Sequence, residues 1–524
     1  MTRKDLPQFV QMELNEKVEK LFEYIKQLEE EIKTLREENS RLKGLSPKPN
    51  LKPATSPLNP LDPQKSKPRG GSKPGARRGK TDQLEIHHTE MIQPLGEIPA
   101  GSVFKGYQEY VVQDLVISSE NTLYQLARWV TPDGKPLMGE LPKAIEGHFG
   151  SQLRAYILYQ HTQCRVTEPL LLEQLHEFGV DISSGQLHVI LTQDHDAFHD
   201  EKQEILKVGL EVSSFIQTDD TGARHDGKNG YCNVICNELF AYFETTESKS
   251  RINFLEILRG QATSYVWSED AIVYATAMKL PASSLQAFEL DTHFSNRDIF
   301  EEYLKAKNIH QEQHVRIITE AALIGSLLAH GFNPNLVILS DDAGQFNVFL
   351  HALCWIHAER LIKKLCPINS DQVKAIESVR SQIWDFYERL TAYKADPTHA
   401  RAAELSDEFD AVFSQNTCFA MLNAQLKRLL KNKPELLVVL SRPEVPLHNN
   451  QSESDIREKV QRRKISVTFS DAGRKCRDTF SSLKKTCRKN DISFWKFLVD
   501  RISGTNQLAR LSQVIRLRAG PCLT

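Results

Sequence analysis

Apolar residues recur every seven positions near the start of the chain, at Leu14, Leu21, Leu28, Leu35 and Leu42. Val18, Ile25, Ile32 and Asn39 form a second row at the same spacing. Leu in one row and β-branched residues in the other predict a parallel coiled coil over 8–45, with Asn39 fixing register. The pattern changes over 84–145, where apolar and polar positions alternate (YQEYVVQDLVISS) before the turn Pro132-Asp133-Gly134. This predicts a small β-rich module. Over 146–205 the spacing turns helical. TEPLLLEQLHEFGV, a break at Gly179, a cap at Ser183 and a second apolar run resemble a helix-turn-helix, the kind of unit that reads DNA.

From Val212 short apolar strands return. SSFIQT runs into Asp219-Asp220, and YCNVIC and FAYFETT follow as two further strands. Residues 252–335 read as a largely helical insertion. NLVILS then runs into Asp341-Asp342 and a glycine, repeating the first strand's design. Helices are expected over about 370–393 and 398–432 and again from Asn450, with Glu453 in its first turns. Residues 471–524 read as a basic helical region.

A chain of 524 residues exceeds a single core and calls for several domains. No apolar run approaches the roughly 18 residues of a membrane span, and the N-terminus has no apolar signal region. The nine cysteines follow no repeating pattern, as in a reduced cytoplasmic protein. The net charge of −2 conceals an asymmetry. Ser46–Lys80 holds nine Lys/Arg against Asp62 alone, and Ile456–Thr524 holds seventeen against five acids. The first run lies in the Pro/Gly/Ser-rich segment 46–83, which is expected to be a disordered basic linker. Both runs suit a polyanion.

The expected fold class is α/β. Three strands, a crossover, a fourth strand and later helices follow the order of a ribonuclease H-like domain, here 206–470 with the insertion at 252–335. Carboxylates clustered by such a sheet raise one another's pKa, and divalent cations relieve the repulsion. Two Mg²⁺ ions about 4 Å apart activate the attacking oxygen and stabilise the leaving oxygen of a phosphoryl displacement. Strand alternation turns adjacent side chains to opposite faces. One acid of each pair is therefore expected at the metals, and spacing alone does not choose between Asp219 and Asp220 or between Asp341 and Asp342.

These residues resemble insertion sequence 66 family transposases, which are Asp-Asp-Glu recombinases. Asp219-Asp220-Thr221-Gly222 is similar to that family's first motif, and Ser340-Asp341-Asp342-Ala343-Gly344-Gln345-Phe346 to its second. Cys354-Trp355-Ile356-His357-Ala358-Glu359-Arg360 resembles its Cys-Trp-Ala-His-Ala-Arg-Arg helix. The most specific match is Arg442 to Glu453 (RPEVPLHNNQSE), similar to Pro-Arg-Val-Pro-Leu-Asp-Asn-Asn-Arg-Ala-Glu, which ends on the catalytic Glu. The resemblance implies Asp219, Asp341 and Glu453 as catalytic and metal-binding residues, with Mg²⁺ as cofactor and Mn²⁺ as its substitute. It also implies cleavage at element ends followed by transfer of the 3′-hydroxyl ends into target DNA. Arg457, Arg462, Arg463 and Lys464 follow Glu453 and are expected at DNA phosphates.

The family's Cys-rich zinc module has no counterpart before Cys164, so no zinc is expected. Cys354 and His357 read as packing or positioning residues, and Cys232 and Cys236 as buried thiols. The expected partners are DNA, a second copy of the chain through 8–45, and accessory transposition proteins, with no membrane and a nucleoid-associated location. Two rivals remain open at this point: a ribonuclease H-like nuclease or resolvase, and a catalytically idle DNA-binding derivative of a transposase.

Overall fold

The computed structural model describes residues 84–520 apart from 95, 97, 100 and 142–146. The expected coiled coil over 8–45, with its Leu14-to-Leu42 row and Asn39, and the whole of the linker 46–83 lie outside the described residues, as does Cys522.

The apolar runs between 215 and 353 pair into one mixed sheet. Its strands are β1 (Phe215–Gly222), β2 (Tyr231–Cys236), β3 (Ala241–Thr246), β4 (Val337–Ser340) and β5 (Leu350–Leu353), in the order β3-β2-β1-β4-β5. β1 to β3 form an antiparallel meander, whereas β4 pairs parallel with both β1 and β5. β4 is buried at every position, as suits a parallel strand covered on both faces. One detail departs from the sequence expectation. β1 does not stop before its acids but continues through both to Gly222, because β2 pairs with it there, Asp219 opposite Val234 and Asp220 opposite Asn233.

β3 is an edge strand, and a helix covers its free side. The backbone N–H groups of Ala241, Phe243 and Thr245 donate to Thr486 Oγ1 (3.2 Å), Ser482 Oγ (2.9 Å) and Asp478 Oδ2 (2.8 Å) on the helix Asp471–Lys489. The periods agree. Two strand residues advance about 6.7 Å and four helix residues about 6 Å, so every outward N–H meets one side chain of a single helix face. An exposed edge that would invite pairing with other chains is thereby closed.

Between β3 and β4 the chain makes the predicted largely helical excursion. Its long helix Glu312–Ala329 packs against the short strand Tyr265–Trp267. Gly325 permits that approach, since a Cβ there would stand 2.2 Å from the Val266 carbonyl oxygen.

Three expected divisions are corrected. The boundaries at 205/206 and 470/471 do not separate cores. The helix Asp196–Val212 leads directly into β1, and Phe198 packs against Phe480 with ring centroids 5.1 Å apart. Buried residues from 155–212, the excursion and 476–515 form one continuous cluster. The helices Ser370–Ala395, His399–Phe413 and Ala420–Lys431 build a second core around Trp355 and Phe409, the helical stretch expected over 398–432 holding two of them. The β-rich module expected over 84–145 is a single small hairpin among the described residues, Arg128–Val130 with Pro136–Met138, exposed throughout. Alternation makes a strand only where a second layer buries its apolar side, and a lone hairpin supplies none.

The helix-turn-helix-like pair is present as helices. Glu168–Glu177 is followed by Gly179 at φ +75°, and Ser183 caps Ser184–Thr192 in a reciprocal capping box with Gln186. No helix among the described residues is long and apolar enough to cross a membrane.

Candidate metal and DNA site

Strand register brings two of the acids together. β1 and β4 pair Phe215 with Val337, Ile216 with Ile338 and Gln217 with Leu339, an offset of 122 (337 minus 215). Asp341 minus Asp219 gives the same 122; the ladder ends at Gln217 with Leu339 and β4 at Ser340, and its register carried two steps further would set Asp341, just past β4, level with Asp219. Such strands lie about 4.8 Å apart.

Glu453 arrives on the helix Asn450–Arg462, whose start is pinned to β1. The helix has no side-chain cap of its own at Asn449. Gln217 Oε1 instead accepts the backbone N–H groups of Gln451 (3.2 Å) and Ser452 (3.4 Å). Gln451 Nε2 donates to the Asn237 carbonyl at 2.7 Å. The incoming loop is held from the other side, where the Trp355 N–H donates to Leu447 O at 3.0 Å and the Asn449 N–H to the Cys354 thiol at 3.5 Å. Cys354 is therefore a packing thiol, pushed up to about 11 by burial.

The two members of each Asp pair have different surroundings. Asp220 accepts from Gln345 Nε2 at 2.6 Å and pairs with Lys249, while Asp342 pairs with Arg428. Asp219 accepts the Asp220 N–H at 2.8 Å, and Asp341 accepts the Ala343 N–H at 3.1 Å. Burial, then the neighbouring Asp341, Asp220 and Glu453, push Asp219 up to about 7 against the pull of that one N–H. A buried carboxyl facing three others without a cation is the electrostatic pattern a divalent ion corrects, and an all-oxygen donor set suits Mg²⁺.

The side chains are not gathered at ligating distance, however. Among the described residues no three His, Cys, Asp or Glu groups stand close enough to hold an ion as placed. Glu453 is turned toward His357 Nε2 (3.4 Å) and Arg360 Nη1 (3.3 Å), which also contact each other at 3.0 Å. Burial, then Arg360, holds His357 below its usual range, against the pull of Glu453 and Asp341.

The basic residues after Glu453 divide. Arg457, Arg463 and Lys464 are exposed, and Arg463 also donates to Thr221 Oγ1 (2.8 Å) and Gly222 O (2.9 Å) at the end of β1. Arg462 is only 5% exposed and does not belong to that surface. The spacing explains why. Ser452, Asp455, Lys459 and Arg462 follow a three-four-three rhythm that, with Ile456, forms the buried stripe of the helix. Part of the C-terminal charge excess is also internal. Lys485 and Lys489 pair with Asp455 (3.5 and 2.8 Å), Lys484 with Glu458, and Lys459 with Asp478 (2.5 Å). These pairs join the Glu453 helix to Asp471–Lys489.

Sequence reasoning missed Gln217, Lys249 and Gln345 as supports of the acids. Gln217 alone left a signal, a long polar side chain inside an otherwise apolar strand.

Comparison with known proteins bears on the same residues. The family described as "Transposase IS66 family" matches 328–475, a span that includes Asp341 and Glu453 and begins after Asp219. A relative from Sinorhizobium fredii (strain NBRC 101917 / NGR234), named "Uncharacterized protein y4jO", is 42% identical over 323 residues, which are 60% of this chain and 100% of that protein. With the matched span carrying two of the three acids and their supporting loops, the chain belongs to the IS66 transposase family.

Proposed function

We propose that the protein cleaves DNA at the ends of an insertion sequence and joins the freed 3′-hydroxyls to target DNA. Asp219, Asp341 and Glu453 would hold two Mg²⁺, or Mn²⁺ in their place. The observation that carries this reading is the shared 122-residue offset that levels Asp219 with Asp341 beside a helix start pinned to the same strand. The antiparallel meander followed by parallel strands supports a ribonuclease H-like catalytic domain.

When bound, the cations supply Lewis acidity at the scissile phosphate and lower the pKa of an attacking water or hydroxyl. The protein's own groups position and neutralise. Lys249 and Gln345 hold Asp220, and Arg428 holds Asp342, so the second acid of each pair is occupied away from the first. His357 and Arg360 hold the Glu453 carboxylate. Its release from Arg360 toward Asp219 completes the site as the substrate is engaged. Arg457, Arg463 and Lys464 line the approach for phosphates. Residues 8–45 would supply the dimer that brings two ends together, with accessory transposition proteins as further partners.

The test is a cleavage and strand-transfer assay on the DNA flanking the gene, with Mg²⁺. Wild-type protein is expected to nick and join. Asp219→Asn, Asp341→Asn and Glu453→Gln should each abolish both steps while DNA binding survives. Binding without cleavage by the wild type would instead identify an idle derivative, and cleavage without joining a nuclease.

A further inference from the structure

At the far end of the Glu453 helix, Arg462 enters a cavity of about 640 Å³ between the helices Glu168–Glu177 and Ser184–Thr192 and the segment 466–480. Its walls are mostly apolar, with Leu172, Leu187, Leu191, Phe469 and Phe480 among them. Its floor is cationic. The Arg462 side chain has no hydrogen-bond or ion-pair partner among the described residues, although the residue is 5% exposed. Arg477 is beside it, spending its Nη atoms on Ser466 and Val467 and leaving Nε unpaired. Burial first, then Arg477 and Arg165, lower Arg462 to about 9, and burial, then Arg462 and Arg477, lower His161 to about 3.

A buried, unpartnered guanidinium beside a second, half-buried one destabilises a fold unless something anionic joins them. Among the described residues the one acid lining the cavity, Glu168, contacts His188 at 3.2 Å; it and Asp478 act on Arg477, and neither pairs with Arg462. The chain next to it has unusual geometry. Gln160–Cys164 is a single π-helical turn, and Arg165 closes it at φ +63°. Such turns cost stability and cluster where ligands bind.

We propose that this cavity receives one unstacked nucleotide of a DNA strand, its phosphate on Arg462 and Arg477 and its base against the apolar wall. The volume lies within the range of about 300–1,000 Å³ typical of small-ligand sites. The apolar wall suits the face of a base, for which stacking and apolar contact contribute without regard to sequence. The basic linker 46–83 has the wrong sign to neutralise Arg462. Glu453 and Arg462 are nine residues apart on one helix, about 14 Å along its axis, so one strand a few nucleotides long spans both ends. The choice of DNA as the source of the nucleotide rests on the proposed transposase reading. The cavity, its charge and its shape do not.

The experiment uses the full chain and a 12-nucleotide single strand carrying one 2-aminopurine, read by fluorescence and anisotropy, with inorganic phosphate as competitor. Two variants probe the site. Arg462→Met removes the charge and keeps the length. Ser184→Trp, at an exposed position on the rim, blocks the mouth without touching the core. Wild-type protein is expected to bind the strand with a change in 2-aminopurine emission. Both variants should weaken binding by about tenfold or more and lose the emission change, while keeping the wild-type circular dichroism spectrum. Wild-type-like binding and emission in both variants overturn the proposal, as does full displacement of the strand by millimolar phosphate, which would mean an adventitious ion only. Loss of cleavage in the wild type with the cavity signal intact removes the transposase reading and leaves this inference standing. Intact cleavage with no cavity signal does the reverse.

Discussion

The two ends of the helix Asn450–Arg462 collect opposite charge. At its start Glu453, though turned to His357 and Arg360, is near enough to Asp219 to raise its pKa, and at its finish Arg462 feels Arg477 and Arg165. The middle is different. There Asp455, Glu458 and Lys459 meet Lys489, Lys484 and Asp478 in matched, mostly buried pairs. Matched charge in the middle fixes where the helix lies, and like charge toward its ends is where the proposed metal and nucleotide sites fall. Charged residues of one helix thus serve two purposes, and burial alone does not distinguish them.

The largest effect that tests this contrast is catalytic. Asp219→Asn should lower the rate of Mg²⁺-dependent cleavage about a thousandfold or more. Asp220→Asn, at a carboxylate already paired with Lys249 and Gln345, should act through local stability and lower it far less. Equal losses would erase the distinction between the members of the pair. Next comes the contrast between the middle and the finish of the helix. Lys459→Met breaks a buried pair and should destabilise the fold by about 3–5 kcal/mol in urea unfolding. Arg462→Met removes a charge with no partner and should leave the midpoint unchanged or raise it. A large loss at Arg462 would mean that its charge is matched after all.

A smaller effect concerns the exposed residues. Arg457→Gln, Arg463→Gln and Lys464→Gln should each reduce the salt slope of duplex binding by about one unit. An unchanged slope in all three would remove them from the phosphate path. The smallest effect is pH-dependent. His161 is held neutral, at about 3 rather than its ordinary 6.5, by burial and by Arg462. The unfolded chain therefore takes up a proton there first, and this group's contribution to stability falls as pH drops from 6.5 toward 3. His161→Gln should flatten that part of the thermal-unfolding profile relative to wild type. An identical profile would place His161 in contact with water.

Much of this arrangement was legible in the sequence, for local reasons. Four of the five strands, the capped helix after Ser183 and the buried thiols at 232 and 236 follow from apolar runs and capping chemistry that need no partner to be recognised, whereas β5 is too short and too close to the helix at Trp355 to be told from it. The 122-residue spacing of the two Asp pairs was visible as a number, but that it equals a strand register was not, since register depends on pairing across the whole excursion. Arg462 shows the opposite failure. A run of Arg, Arg and Lys reads as a surface, and the buried rhythm of Ser452, Asp455, Lys459 and Arg462 was hidden because all four of its members are polar or charged. The alternation over 84–145 misled because no second layer covers it.

The borrowed cap at Gln217 has a consequence in time. The helix bearing Glu453 obtains acceptors for its first N–H groups from a strand 234 residues earlier (451 minus 217). As the chain emerges during synthesis, β1 can pair and settle while this helix does not yet exist. The third carboxylate therefore joins the other two only after nearly the whole protein has been made. On the proposed transposase reading, a truncated or stalled product ending before 450 would carry two acids and no third, and so would release no unregulated DNA-cutting activity into the cell that makes it.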